Sequence, residues 1–469
     1  MPLFREENFL VIHVGSLHTI FLFGLQDSLS PPQYKVPSVV FQAENGEYHS
    51  KNEEDKYKEI KPVQGSRIVD LEAFQYLLNI ILQSVISQNP IITINQIPLL
   101  LITPSLAWSR YQVEHITKYV LETLEFNAFN VIDIALASNF AMGSSTSSCV
   151  VNVGRDSVQI MPVVGNQCVK YAGKYIADVG GKLVNEELAA LLPKLTANQI
   201  EALKTSGIFE VLNDEEDSFY SFADLNRVSE GNEEDDNFDI AKLVTESSSD
   251  TAAVANGEEK DGDAADAPSK QKNRELESNF FLDPDTKEKI YVGKERFQGC
   301  KSFINTIAHA IYTSLLSIPD LEKRQQCYDN LIFVGSTFKI PGLKHALLMK
   351  LTADYLVRPA NDVSNKEKSK NVNSAILAYQ QAEEVNDSNE GFNVVQVPGS
   401  IKLAKHPEYF PEWKLPKESG GSWEDVYFLG AEIYAKQIFG GNSNHGGEMF
   451  VDSEVYKYKG PQAIWDSAL

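Results

Sequence analysis

Short apolar runs alternate along this chain with stretches in which apolar residues recur every three or four positions. The run Phe9-Leu10-Val11-Ile12 and the apolar residues of 19–23 flank a short turn and predict a β-hairpin. Residues 70–87 carry Leu71, Phe74, Leu78 and Ile81 at helical spacing. Residues 99–102 read as a buried strand stopped by Pro104, and Ser109 with Gln112 forms a capping box that predicts a helix running through Glu125. A further buried-type strand at 331–334 precedes a helix starting near Gly342. Strand and helix patterns alternate, which predicts an α/β protein.

One pattern occurs twice. Residues 9–24 read FLVIHVGSLHTIFLFG and residues 149–164 read CVVNVGRDSVQIMPVV. Each is an apolar strand ending in Val-Gly, a few polar or small residues, then a second apolar strand. Hairpins in equivalent places predict a duplicated two-lobe fold with a cleft between the lobes. A glycine turn lets backbone N–H groups approach a ligand, and such amide nests suit phosphate. A third glycine motif, Val334-Gly335-Ser336-Thr337, follows a strand and precedes a helix. A lone Val-Gly hairpin carries no ligand information; the order of the three motifs carries it.

Composition narrows the function. The chain has 469 residues, 43% of them hydrophobic, which excludes wholesale disorder and suits several lobes. Its net charge of −23 disfavours sequence-specific nucleic-acid binding. Residues 213–267 hold two thirds of that charge, including Asp214-Glu215-Glu216-Asp217 and Glu233-Glu234-Asp235-Asp236, and predict an acidic, largely disordered insertion at about 213–274. A second polar insertion is expected at about 361–391. Four cysteines without a CxxC pair argue against a zinc site and a disulfide framework and favour a reducing compartment. No apolar run is long enough for a membrane helix, and residues 1–7 do not read as a secretory signal. No GxSxG, HExxH, Walker A or GxGxxG motif occurs.

With the three glycine motifs in order, the chain resembles actin. Phe428-Leu429-Gly430-Ala431-Glu432-Ile433 is similar to the family's Trp-Ile-Gly-Gly-Ser-Ile, Met449-Phe450 to its Met-Trp, and Tyr456 with Gly460-Pro461 to its Tyr and Ser-Gly-Pro ending. Glu295-Arg296-Phe297 matches its Glu-Arg-Phe, and Ile332-Phe333-Val334-Gly335 its adenine-side loop. Runs 402–414 and 459–466 resemble the nuclear actin-related proteins that serve as subunits of the SWI/SNF and RSC chromatin remodellers. The resemblance implies four subdomains: 1–32, 66–138 and 424–469 as the first, 33–65 as the second, 139–178 and 297–423 as the third, and 179–296 as the fourth.

It also implies where chemistry should sit. Actin's carboxylates before the two turns fall at His13 and Asn152. The second glycine and the lysine of its first turn fall at Leu17 and Ile20, and the Asp-Gly of its second turn at Arg155-Asp156. The water-orienting glutamine falls at Lys118 and the adenine-loop Gly-Gly at Gly335-Ser336. An ATPase of this kind needs a cation near the phosphates, a basic residue on them and a side chain that orients water. The expectation is therefore a degenerate site without catalytic or metal-binding residues. Gly15, Ser16, Gly154, Arg155, Gly335 and Ser336 would remain as a vestigial nucleotide cleft; no cofactor is expected, with ATP binding left open. The resemblance instead implies docking. A groove of Phe140, Ala141 and Gly143 facing Ile433, Tyr434, Met449 and Phe450 would take the HSA helix of a remodelling ATPase, beside a companion actin-related protein and other remodeller subunits, in the nucleus. The alternative is a cytoskeletal, ATP-binding or weakly hydrolysing relative. Actin-like polymerisation is not expected, because residues 41–61 are rich in Glu, Asp and Lys and lack an apolar tip.

Overall fold

A computed structural model describes residues 4–25, 29–52, 56–212, 273–357, 397–414, 422–440 and 449–467. The expected acidic insertion, apart from its last two residues, and the expected polar insertion lie outside them.

Both expected hairpins form. Leu10–Val14 pairs antiparallel with His18–Phe23, and Ser148–Val153 pairs antiparallel with Ser157–Val164. Each hairpin begins a sheet built the same way. The first strand of each pairs in parallel with a later strand, Pro98–Thr103 in one sheet and Leu331–Val334 in the other. The second strand of each pairs antiparallel with a later strand, Tyr34–Pro37 in one and Lys174–Ala177 in the other. Ala128–Asp133 extends the first sheet in parallel, and Leu403 makes a parallel bridge to Leu331 in the second. The duplication read from the sequence is thus a duplication of sheet topology. Parallel neighbours must be covered on both faces, which explains the continuous apolar runs in 99–102 and 331–334.

The helices start where capping dictates. Asp70 accepts a hydrogen bond from the Ala73 N–H at 2.9 Å and opens Leu71–Gln88. Ser109 and Gln112 form the expected box ahead of Arg110–Lys118. That helix does not run through Glu125: it widens into a π-turn at Tyr119–Thr123, and Glu125 turns to a φ of 58°.

Two helices carry the chain between the halves. Ile134–Met142 leads from the first sheet to the second, with Asp133 as its N-cap and Gly143 in the left-handed region at its end. Tyr427–Phe439 returns to the first. They touch backbone to backbone: a Cβ on Gly430 would lie 1.7 Å from the Ala137 carbonyl oxygen. The core around them collects Val11 and Ile102 from one sheet, Val150 and Ile332 from the other, and Trp413 from the 402–414 run. Trp413 is fully buried and its indole N–H donates to the Leu29 carbonyl at 2.7 Å.

Farther out, the Asn279–Leu282 and Lys289–Val292 strands form a separate hairpin. Arg296, buried below it, donates to the backbone carbonyls of Asn273, Leu276 and Gly293 at 2.7, 2.6 and 2.6 Å, and from Nε to the Asn273 side-chain oxygen at 3.1 Å. It fastens the chain where it resumes after residue 272.

Glu432 breaks the apolar logic of the crossing helix. It is 0% exposed and both carboxylate oxygens lack a hydrogen bond. Burial drives its pKa well above the ordinary glutamate value, with Lys436 opposing. The folded chain therefore holds this carboxyl neutral, whereas the unfolded chain ionises it. Its contribution to stability is complete below the unfolded pKa and is lost as pH rises above it. Glu432→Met should stabilise the protein at pH 7 by about 1–3 kcal/mol. It should also flatten the fall in stability above roughly pH 4.5. Thermal and urea melts across that range check this; a variant whose gain over the parent chain is no larger at pH 7 than at pH 4 would refute it.

Candidate functional site

The three glycine motifs converge. The Gly15 N–H donates to the His18 carbonyl at 3.1 Å, and the Gly154 N–H to the Ser157 carbonyl at 3.0 Å, closing the two hairpin turns. Gly335 has a φ of 102°, and a Cβ there would meet the Val153 carbonyl oxygen at 2.3 Å, so only glycine lets the third loop lie on the second hairpin. Ser336 opens the short turn Ser336–Lys339 that follows. The second turn is held from several sides. Its Gly154 carbonyl accepts from the Thr337 hydroxyl at 3.0 Å and the Gly181 N–H at 3.1 Å, and its Arg155 carbonyl accepts from the Lys182 N–H at 2.8 Å.

A strap lies across the mouth between the two turns. Residues 63–68 double back, Val63–Gln64 on Arg67–Ile68, with Gly65 and Ser66 both at positive φ. The Ser66 N–H donates to Ser16 Oγ in the first turn at 3.2 Å, and its hydroxyl shares a proton with Ser157 Oγ in the second hairpin at 3.1 Å. The Tyr175 hydroxyl donates to the Gly65 carbonyl at 2.7 Å while the Arg67 guanidinium sits 4.4 Å over the Tyr175 ring. The Trp108 indole donates to the Ser66 carbonyl at 2.9 Å. One short turn thus joins both halves. Beside it lies a cavity of about 400 Å³ lined by Ser16, Leu17, Lys61, Gly65, Arg155 and Lys182, among others. Its cations already face carboxylates: Lys182 lies 3.3 Å from Asp178, Arg155 3.8 Å from Asp156, and Lys61 3.3 Å from Glu59.

The residues expected at the family's chemical positions are interior or surface groups. Burial drives the His13 imidazole down to about 4, although its Nδ1–H bond to the Ile102 carbonyl at 3.4 Å opposes this. The ring is neutral at pH 7 and rests edge-on against Tyr427. Ile20 pairs with His13 across the hairpin and packs on the core. Asn152 faces Gln159 in the second hairpin, whose carbonyl oxygen accepts from the Leu106 N–H at 2.9 Å and whose amide nitrogen is buried without a partner. Leu17 lines the cavity. Lys118 does not belong to the cleft. It is 58% exposed at the end of Arg110–Lys118, pairs with Glu122 at 3.9 Å, and is not among the residues lining this cavity. Among the described residues no three His, Cys, Asp or Glu side chains cluster to hold a metal ion.

At the other end of the crossing helices a groove of about 360 Å³ lies open, lined by Phe140, Gly143, Thr146, Asn166, Ile433 and Gln437, among others. Of the expected docking residues, Phe140, Gly143 and Ile433 face it. Met449 is 40% exposed but outside the lining. Ala141, Tyr434 and Phe450 are core residues instead: Tyr434 stacks under Phe140 and its hydroxyl accepts from the Asn130 amide at 3.2 Å, and Phe450 packs against Phe439 and Phe4. The resemblance had pointed to a surface that burial denies them. The strap residues Gly65, Ser66 and Tyr175 escaped the sequence reading; the Gly-Ser pair between two short polar-apolar alternations was the available signal.

The sequence profile described as Actin matches residues 5–384. The protein described as "SWI/SNF and RSC complexes subunit arp9" of Schizosaccharomyces pombe (strain 972 / ATCC 24843) is 25% identical over 545 aligned residues, spanning 99% of each chain.

Tyr175→Phe should cost about 1 kcal/mol of stability by leaving the Gly65 carbonyl unpaired. The loss should be local, with faster amide hydrogen exchange at 63–68 than elsewhere. Unchanged exchange in the strap would show that it does not hold the halves together.

Proposed function

The chain belongs to the actin family, and on that footing we propose that it is a non-catalytic scaffold subunit of a nuclear ATP-dependent chromatin-remodelling complex. The name of its arp9 relative, similar across both full lengths, supports the assignment to such complexes. The observation that carries the reading is the open groove at the foot of the crossing helices, in which Phe140 and Ile433 present apolar surface among polar neighbours. Such a trough suits the apolar face of an amphipathic helix. Its occupant is the HSA helix of the remodelling ATPase, shared with a companion actin-related protein.

The cleft supports a non-catalytic role. A neutral imidazole at His13 and an amide at Asn152 supply no carboxylate for a cation, and Leu17 presents a side chain where a phosphate would approach. Losing one transition-state electrostatic contact costs on the order of a hundredfold in rate, so the combination removes efficient hydrolysis. The strap meanwhile spans the cleft through protein groups alone.

Purified protein, with the companion subunit, should retain an HSA-region peptide in pull-down. Phe140→Asp combined with Ile433→Asp should weaken retention at least tenfold while leaving the melting curve close to that of the parent chain. Failure of the parent chain to bind, companion present, would overturn the proposal. Adding Mg-ATP should leave the thermal midpoint unmoved. Saturable stabilisation followed by phosphate release would favour the cytoskeletal, nucleotide-using alternative.

A further inference from the structure

A tight turn at the rim of the groove holds one hydrogen-bond donor in reserve. Val164 pairs with Gln167, so Gly165 and Asn166 form a two-residue hairpin turn, with φ of 58° and 60°. The turn is fixed by its own backbone. The Asn166 N–H donates to the Thr146 carbonyl at 2.8 Å, and the Gly165 N–H donates to Ser147 Oγ at 3.4 Å. A relay then orients the Asn166 side chain. The buried Ser148 hydroxyl donates to Asn139 Oδ1 at 2.6 Å, which leaves Asn139 only its Nδ2 to offer; that nitrogen donates to Asn166 Oδ1 at 3.0 Å. Asn166, exposed and lining the groove, therefore has its oxygen engaged and its Nδ2 left over. Among the described residues, neither that nitrogen nor the Gln437 amide has a hydrogen-bond partner.

Resting on the docking reading above, we propose that Asn166 is the specificity residue of the groove. It selects a helix that carries a glutamine or asparagine beside the apolar residue seated on Phe140 and Ile433. The chemistry of the lining selects that side chain. No residue lining the groove carries a charge. A carboxylate or ammonium buried there would lose its hydration without gaining a counter-ion. A side-chain amide accepts from Asn166 Nδ2 and still has protons to donate in return. Gln437 offers the matching acceptor: it lies one turn beyond Ile433 on the Tyr427–Phe439 helix, so apolar contact and amide follow one another along that helix. Because the relay already holds Asn166 in place, the new hydrogen bond costs little side-chain ordering.

The test is calorimetric titration of the full chain, companion subunit present, with the HSA-region peptide and with peptides in which each Asn or Gln is replaced in turn by Leu. Asn166→Gly keeps the turn, since glycine accepts its positive φ, and removes the donor. It should weaken binding of the unaltered peptide about fivefold. Against the one Leu peptide that lacks the paired amide, it should change nothing. Asn166→Asp keeps the acceptor for Asn139 and turns a carboxylate oxygen to the groove. That variant should prefer a peptide with Lys at the paired position over the unaltered peptide by at least tenfold. An equal loss in Asn166→Gly against every peptide marks a purely structural role and overturns the proposal. No loss in Asn166→Gly, while Phe140→Asp combined with Ile433→Asp does weaken binding, overturns it and leaves the docking reading standing. Failure of the parent chain to bind the unaltered peptide overturns both.

Discussion

Everything in this molecule hangs on a contact in which no side chain takes part. The Tyr427–Phe439 helix lies so close on Ile134–Met142 that the Gly430 Cα stands where any larger residue would drive into the Ala137 carbonyl. Those helices are the described segments that carry the chain from one sheet to the other and back. Their separation therefore sets the spacing of the halves, the width of the cleft above and the shape of the groove below. The surrounding core is built to hold that spacing, with Trp413 wedged in from the 402–414 run and pinned to the Leu29 carbonyl. A buried neutral carboxyl at Glu432 in the same helix is a cost accepted in an otherwise apolar seam.

With the spacing fixed from below, the mouth of the cleft is bridged from above. Ser66 reaches a serine in each half, Tyr175 caps the turn beside it, and Arg67 stacks on that tyrosine. The strap's own hydroxyl and amide join the two turns directly, and neighbouring carboxylates balance the cations around the cavity.

Much of the architecture was legible from period and punctuation. Apolar runs at 99–102 and 331–334, the capping box at Ser109 and the repeated Val-Gly hairpins each state a local rule that the fold obeys. The site was legible only in part, because side-chain type does not reveal which way a side chain faces. Tyr434 and Phe450 have the chemistry of a docking surface and the burial of a core, and Ile433, beside Tyr434, faces the groove. Lys118, likewise, lies on an exposed helix end outside the cavity lining, a placement that position along the sequence does not reveal. The strap went unseen because its bonds join residues 50 and 91 positions apart, a separation that no local pattern encodes.

Arg296 has one further consequence. Its guanidinium grips the carbonyls of Asn273 and Leu276, and Asn273 grips the Ile208 carbonyl in turn, so positions 65 residues apart are stapled within one small knot of hydrogen bonds. A loop whose ends are already fastened adds closure entropy only logarithmically with its length. Changes of length between Ile208 and Asn273 therefore cost the surrounding scaffold little.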